Sequence, residues 1–204
     1  MKIEQILNYS WDFTTSLFWI RYPNPFAKHV RTEDVLDRQI LPNGCLYTRR
    51  LISKKYMGSL PKWITSHLAK TTEFVVEETI IDTENKTFSQ NTRNIGSAAK
   101  HAVLVEEVTM RPGEIGKTHI SRKATVESNH SYAVRYPLQM FILHRYNGTA
   151  KSSFNGIDYI CQLNDPKTTS IKIGKWSALK SKLLSRRSSL TAAFAETDAD
   201  EEKN

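Results

Sequence analysis

Cysteine is nearly absent from this chain of 204 residues, and the two present, Cys45 and Cys161, sit in no CxxC pair or other metal-ligand spacing. A disulfide framework is therefore not expected, and a single bridge between the two stays open. Glycine and proline are sparse, and hydrophobic residues make up 39% of a composition ordinary for a globular protein. No window approaches the roughly 18 apolar residues of a membrane span. The first eight residues lack the basic region and apolar run of a secretory signal, and hold too little Arg and Ser for an ordinary mitochondrial presequence.

Catalytic signatures are missing as well. The six histidines, at 29, 67, 101, 119, 130 and 144, form no HExxH arrangement, and no nucleophile elbow, phosphate-binding loop or dinucleotide fingerprint occurs. No metal or cofactor is expected, and an enzyme is the weaker class. The adjacent pairs Glu77-Glu78 and Glu106-Glu107 lie in strand-like segments, where neighbours point to opposite faces, so they suit shared acid and base work poorly. Nucleic acid is not an expected partner: aromatics and basic residues do not interleave along one strand, and Thr92-Arg93-Asn94, which in isolation could contact phosphate, is read first as a solvated strand end.

What the chain does have is an excess of positive charge, formally +8. Residues 1–166 hold 21 basic and 16 acidic side chains; residues 167–195 hold seven basic and no acidic ones; residues 196–204 hold five acidic and one basic. Length and composition fit one domain over 1–166 followed by a basic, then acidic tail over 167–204. A basic protein is favoured near any polyanion, including an anionic bilayer.

Residues 1–9 alternate loosely as a first strand. Ser10 caps a helix with Phe13, Leu17 and Ile20 at helical spacing. Pro23 pushes Tyr22 out of the helical region, so this helix stops at the turn Arg21-Tyr22-Pro23-Asn24-Pro25. Strands then follow over 32–41, 46–53, 71–82, 87–95, 102–110 and 118–126, joined mainly by short connections such as Pro42-Asn43-Gly44. Seven strands so connected predict an antiparallel sheet. Between them, Leu60, Trp63, Ile64 and Leu68 share one side of a short helix that serves either as a packed connector or as a movable lid. The longest helical candidate covers 138–163, with Ile142, Tyr146, Ala150, Phe154, Ile157 and Cys161 as its stripe, although Gly148 and Gly156 weaken propensity. The expected fold is α+β: a curved antiparallel sheet wrapping a long C-terminal helix, with a cavity between them.

Two-residue alternation puts Leu46, Thr48, Arg50 and Ile52 on one strand face. If that face is interior, Arg50 needs a carboxylate partner or an anionic ligand, because an unpaired buried charge is costly. Arg21 at the turn and Lys151 beside the helical stripe can converge with it on one end of the cavity, and an arginine fork with an ammonium suits a phosphate monoester. An apolar interior would accept acyl chains.

These residues also carry a resemblance. Phe18-Trp19-Ile20-Arg21-Tyr22-Pro23-Asn24-Pro25, then Lys28-His29-Val30 and Thr32-Glu33-Asp34, Thr48-Arg49-Arg50-Leu51-Ile52, Leu60-Pro61-Lys62-Trp63, Asn91-Thr92-Arg93-Asn94 and Ala150-Lys151-Ser152 resemble, in order, the PRELI/MSF1 (Ups) family. The resemblance implies a lipid transfer protein of the mitochondrial intermembrane space with a fold like START and phosphatidylinositol transfer domains. It further implies a small helical partner with twin CX9C motifs, contact with anionic mitochondrial membranes, and carriage of phosphatidic acid from outer to inner membrane for cardiolipin synthesis. The alternatives are a phosphatidylserine carrier of the same family and a scaffold that binds the partner without transfer. By the same resemblance, headgroup contacts fall on Arg21, His29, Arg50 and Lys151, with Lys54 at the rim and Leu60, Lys62, Trp63, Ile64 and Leu68 in the lid. Arg50→Glu is expected to abolish lipid extraction while leaving the fold intact.

Overall fold

The computed structural model describes residues 1–55 and 72–166. The short helix expected around residues 60–68, with Leu60, Lys62, Trp63, Ile64 and Leu68, lies outside the described residues, as does the tail. Contacts divide the chain into one unit of Met1–Cys161 and another of Gln162–Asn204. Among the described residues the first holds seven strands: β1 (Lys2–Leu7), β2 (Val30–Ile40), β3 (Leu46–Lys55), β4 (Thr72–Asp82), β5 (Thr87–Asn94), β6 (Val103–Pro112) and β7 (Thr118–Glu127). They form one antiparallel sheet in the order β1-β7-β6-β5-β4-β3-β2. Every neighbouring pair except β1 with β7 is also consecutive in sequence, and short turns join β2 to β3, β4 to β5 and β6 to β7, whereas residues 56–71 separate β3 from β4. Gly44 and Gly116 take φ of +79° and +75° in two of those turns, a region only glycine enters without strain.

Helix α1 (Trp11–Leu17) is capped by Ser10, whose hydroxyl accepts from the Phe13 amide, and runs on as a 3-10 turn over Phe18–Ile20. Of the expected Phe13, Leu17 and Ile20, the first two pack half-buried against the core and only Ile20 does not. Trp11, Thr14, Thr15 and Phe18 face inward, and Ile20 is exposed. Polar anchoring turns the helix: Trp11 Nε1 donates to the Met110 carbonyl at 3.1 Å, the Thr14 and Thr118 hydroxyls meet at 3.3 Å, and Thr15 Oγ1 donates to the Trp11 carbonyl. A threonine whose hydroxyl is satisfied within its own turn can be buried, so apolar periodicity alone leaves Thr14 and Thr15 out of the buried face.

The long helix α2 (Tyr132–Asn164) begins six residues before its expected start and carries Pro137 inside it. Pro137, the sixth residue of the helix, removes one amide from the ladder and leaves the Ala133 carbonyl without that donor. Tyr146, Ala150, Ile157 and Cys161 are buried as the stripe requires, while Ile142 and Phe154 are half-buried. Cys45 and Cys161 are both buried free thiols, so no bridge joins them. Burial, with Asp158 nearby, pushes the Cys161 thiol up to about 12, leaving it inert.

Apolar packing holds α2 at two places. Towards its end, Ile157 and Cys161 join Leu7, Trp11, Phe18, Phe88, Val108, Met110 and Ile120. Nearer its start, Leu138 packs with Ala102 and Val126, and Tyr146 and Ala150 pack with Ala124. Between these clusters the sheet face beneath the helix is polar and hollow.

Candidate functional site

Strand register builds the polar floor. The Cα pairings Arg50 with Glu77, Glu77 with Thr92, Thr92 with Glu106 and Glu106 with Ala124 form one row across five strands. Because alternate residues share a face, all these side chains point towards α2. The expectation that Arg50 points inward is met, and of the two partners open to it the structure supplies the carboxylate. Arg50 is 2% exposed and Glu77 1%. Arg50 Nε donates to Glu77 Oε1 at 2.9 Å, Nη2 makes a second contact with the same oxygen, and Nη1 donates to Glu33 Oε2 at 2.9 Å.

The turn delivers a second guanidinium to the same carboxylate. Arg21 Nη2 donates to Glu77 Oε2 at 2.5 Å and Nη1 to the Phe18 carbonyl at 3.2 Å, while its guanidinium lies 3.9 Å from the Phe18 ring centroid. Gln90 Nε2 also donates to Glu77 Oε2, at 3.0 Å. Burial opposes the charge on Arg21, yet Glu77, Tyr22 and Glu33 together outweigh it and raise the pKa. Arg50 is lowered, by burial first and the neighbouring Arg21 charge second. Both stay cationic, since arginine starts so high.

Asn24 fixes the turn that carries Arg21. Its side-chain amide donates to the Arg21 carbonyl at 2.6 Å, and its oxygen accepts from the Phe26 amide at 2.9 Å. A Cβ on Gly156 would stand 3.0 Å from Asn24 Nδ2. Gly156 thus weakens α2 by propensity but lets the turn lie against the helix.

A second ion pair lies further along the same floor. Arg122 reaches Glu106 as a diagonal cross-strand neighbour, with Nη1 donating to Glu106 Oε1 at 2.8 Å and Nη2 to Ser153 Oγ at 3.2 Å. Tyr146 Oη donates to Glu106 Oε1 at 2.6 Å, and Thr92 Oγ1 to Oε2 at 3.3 Å. Burial alone would raise the Glu106 pKa, but Arg122 and Tyr146 bring it below the usual value. The Tyr146 phenol is raised, by burial and then by that carboxylate.

Two adjoining cavities occupy the hollow. The larger, about 380 Å³, runs from His29, Lys54 and Lys55 past Thr92, Arg93 and Glu106 to Leu138, Phe141, Ile142, Arg145 and Tyr146 of α2. The smaller, about 70 Å³, lies over Arg21, Glu77, Gln90 and Arg122, and also touches His29, Lys54 and Thr149. Lys55, Arg93 and Arg145 are exposed, so the larger cavity opens on their side. Among the described residues the side chains of Lys54, Lys55 and Arg93 enter no ion pair. His29 is half-buried, and its pKa is lowered by burial and then by the charge of Lys54.

Of the residues singled out in the sequence, Arg21 and Arg50 therefore meet at the floor, and His29 and Lys54 border both cavities. Lys151 is exposed and lines neither; Ser152 and Ser153 beside it line the smaller one. Thr92-Arg93-Asn94 is more than a solvated strand end. Thr92 is buried, all three residues line the larger cavity, and the Asn94 side chain bonds the Ala102 carbonyl and the Leu104 amide. Sequence reasoning missed Glu77, Glu106, Arg122 and Tyr146 as members of the site. The signal for Glu77 was available, since it shares a strand parity with the inward Val75 and Ile81; Arg122 carried none apart from the register.

No group of three or more potential metal ligands clusters among the described residues. The architecture is shared with solved structures of low sequence identity. The Zhui aromatase/cyclase from Streptomyces sp. R1128 aligns with a TM-score of 0.56 at 6% identity, covering 81% of this chain and 95% of that one. A Thermus thermophilus protein aligns at 0.55 and 15% identity, covering 81% and 98%. At such identities only the fold is shared, a START-like sheet around a helix. Closer relatives exist in sequence. The human PRELI domain-containing protein 1, mitochondrial, is 32% identical over 189 residues, 88% of this chain and 84% of its own. The ups1 homolog of Schizosaccharomyces pombe is 30% identical over 76% of this chain and 91% of its own, and Saccharomyces cerevisiae UPS1, mitochondrial, 26% over 71% and 82%. Residues 12–167, from the first helix through the last, match the PRELI-like family; the turn at Asn24, the inward arginines and the hollow beneath α2 are thus features of a chain that belongs to that family.

Proposed function

We propose that this protein is a non-enzymatic phospholipid carrier of the mitochondrial intermembrane space, moving phosphatidic acid from the outer to the inner membrane to supply cardiolipin synthesis. The observation that carries the reading is the hollow of about 380 Å³ between sheet and helix, apolar along Leu138, Phe141 and Ile142 and cationic at Lys54 beside the His29 imidazole, in a member of the PRELI-like family. Apolar walls take the acyl chains. A phosphate monoester is met by the Lys54 ammonium and the His29 imidazole, with Arg21 and Arg50 behind them on Glu77. Charge-assisted bonds of this kind are the strong ones, and no covalent step is needed.

The domain spans residues 1–166, and a small twin-CX9C protein binds it as a heterodimer partner. The test is transfer of labelled phosphatidic acid and phosphatidylserine between vesicles by the purified complex. Movement of phosphatidic acid alone is the expected result. Movement of phosphatidylserine instead would keep the carrier and change the cargo, and partner binding with no transfer of either lipid would leave a scaffold.

A further inference from the structure

The two cavities meet at a neck. His29, Lys54, Val75, Thr92, Glu106 and Thr149 line both of them, so a group held between the hollow under α2 and the polar floor lies against these six residues. Two of them act on an anion in opposite senses. The Lys54 ammonium attracts it, and the Glu106 carboxylate repels it unless the anion brings a hydrogen to donate.

Strand register delivers Glu106 to the neck, since it stands between Thr92 and Ala124 on the inward row. Its side chain is 19% exposed, and its two oxygens are unequally occupied. Oε1 accepts from Arg122 at 2.8 Å and from Tyr146 at 2.6 Å, whereas among the described residues Oε2 accepts only from Thr92, at 3.3 Å. A carboxylate offers about four acceptor positions, so Oε2 keeps room for another donor. Burial works against its charge, but Arg122, Tyr146 and Lys54 hold the carboxyl below its ordinary range. Ionised, it accepts hydrogen bonds and donates none.

An acceptor-only group at an anion site imposes a chemical condition. A phosphate diester has no proton on its oxygens, so beside a carboxylate it meets only repulsion. A phosphate monoester keeps one proton at slightly acid pH, its second pKa being near 6. That P–OH can donate to the carboxylate while the charged oxygens accept from an ammonium, and a bond from O–H to an ionised oxygen is of the short, strong kind. Size does not draw the same distinction, because the adjoining cavity of about 70 Å³ leaves space beyond the neck for more than one water-sized group.

We infer that Glu106 is a specificity-determining residue of the carrier: at the neck its Oε2 accepts the P–OH of a phosphate monoester whose charged oxygens lie against Lys54, which admits phosphatidic acid and excludes phospholipids whose phosphate is a diester. The inference rests on the carrier reading and deepens it. Lys54 supplies attraction for any phosphate, and Glu106 chooses among them.

The experiment is a competition at about pH 6, where roughly half of a phosphate monoester keeps its second proton. The full-length chain, purified with its partner, is offered phosphatidylcholine vesicles holding equal amounts of phosphatidic acid and phosphatidylmethanol with the same acyl chains, and the captured lipid is identified by native mass spectrometry. Phosphatidylmethanol is the smallest diester, with one negative charge and no P–OH. Wild type should favour phosphatidic acid roughly tenfold or more, the effect of one hydrogen bond to a charged group. Glu106→Gln, whose amide can both accept from Arg122 and donate to a phosphate oxygen, should bring the two lipids to within about threefold of each other. The neutral pair Glu106→Gln/Arg122→Gln, which leaves no buried charge unmatched, carries the same expectation should the single variant fail to fold. Equal capture of both lipids by wild type overturns the inference and leaves the carrier standing, as does an undiminished preference in the Glu106 variants. Capture of neither lipid overturns the carrier reading and the inference with it. Millimolar inorganic phosphate, which offers the P–OH without acyl chains, should leave captured phosphatidic acid in place; displacement would overturn the assignment of the neck to a lipid headgroup.

Discussion

The floor and the opening of the cavity both contain cations, but in opposite electrostatic situations. At the floor, Arg21 and Arg50 are nearly fully buried and share Glu77, and Arg122 is held by Glu106. At the opening, Lys54, Lys55 and Arg93 form no ion pair among the described residues. The first set is charge-compensated before any ligand arrives, so it contributes chiefly to the fold. The second shares the larger cavity with Glu73 and Glu106 but is locked into no ion pair among the described residues, so its ammonium and guanidinium groups can turn to an entering anion. Clustered arginines alone therefore do not locate an anion site; the distribution of carboxylates does.

Removing the floor carboxylate sharpens this comparison most. Glu77→Gln leaves two buried guanidiniums with only the partly exposed Glu33, and breaking a buried pair from one side costs about 3–5 kcal/mol. Denaturant unfolding of the lipid-free protein should show that loss. Phosphatidic acid should restore more stability to this variant than it adds to wild type, because its phosphate can take the vacated place. Equal stabilisation of both proteins would mean that the phosphate never reaches the arginines. By the same reasoning Arg50→Glu cannot be a clean probe of extraction. It would set a third carboxylate against Glu77 and Glu33 in a buried site, so loss of fold is expected alongside loss of transfer.

The second floor cluster should respond less. Tyr146→Phe deletes the 2.6 Å bond to Glu106 and keeps the ring, and a hydrogen bond to a charged group is worth about 1.5–3 kcal/mol. Stability should fall within that range while transfer by the folded fraction stays near wild type. A variant as stable as wild type but defective in transfer would move Tyr146 from the scaffold to the headgroup site.

Lys54→Ala reverses the pattern. The side chain is half-buried and holds no ion pair among the described residues, so stability should change by no more than about 0.5 kcal/mol. Phosphatidic acid transfer should drop roughly tenfold, the size of one lost charge-assisted contact. Unchanged transfer would remove Lys54 from the route of the headgroup.

These contrasts explain what the sequence made legible. Strand rhythm placed Arg50 inward because a period of two is a local property, and the breaker chemistry of Pro23, Pro25, Asn43 and Gly44 punctuated the elements correctly. Register is not local. Nothing along the chain sets Thr92 between Glu77 and Glu106, so the row that neutralises the arginines emerged only with the sheet. The same gap affected Gly156, which reads as a weak helix position until Asn24 is seen against it. Lys151 was judged from its neighbours in the stripe, but one residue along a helix is a turn of 100°, enough to carry it from the buried side to solvent.

His29 joins the two regions, bordering both cavities, and its titration gives the smallest effect. In the empty protein burial and Lys54 lower its pKa from 6.5, so the unfolded chain takes up the proton first. Its contribution to stability is then complete above about pH 6.5 and declines as pH falls towards the folded-state pKa. His29→Asn should remove that part of the acid-side decline and leave stability at pH 8 within about 0.5 kcal/mol of wild type. A bound phosphate reverses the sign, because an anion favours the imidazolium. Binding of phosphatidic acid should then take up a proton near pH 6, detectable by calorimetry in buffers of different ionisation enthalpy. The lipid phosphate also titrates in this range, its second pKa being near 6, so the informative quantity is the difference between wild type and His29→Asn. Equal proton uptake by the two proteins would assign the whole signal to the lipid and leave His29 a neutral wall residue.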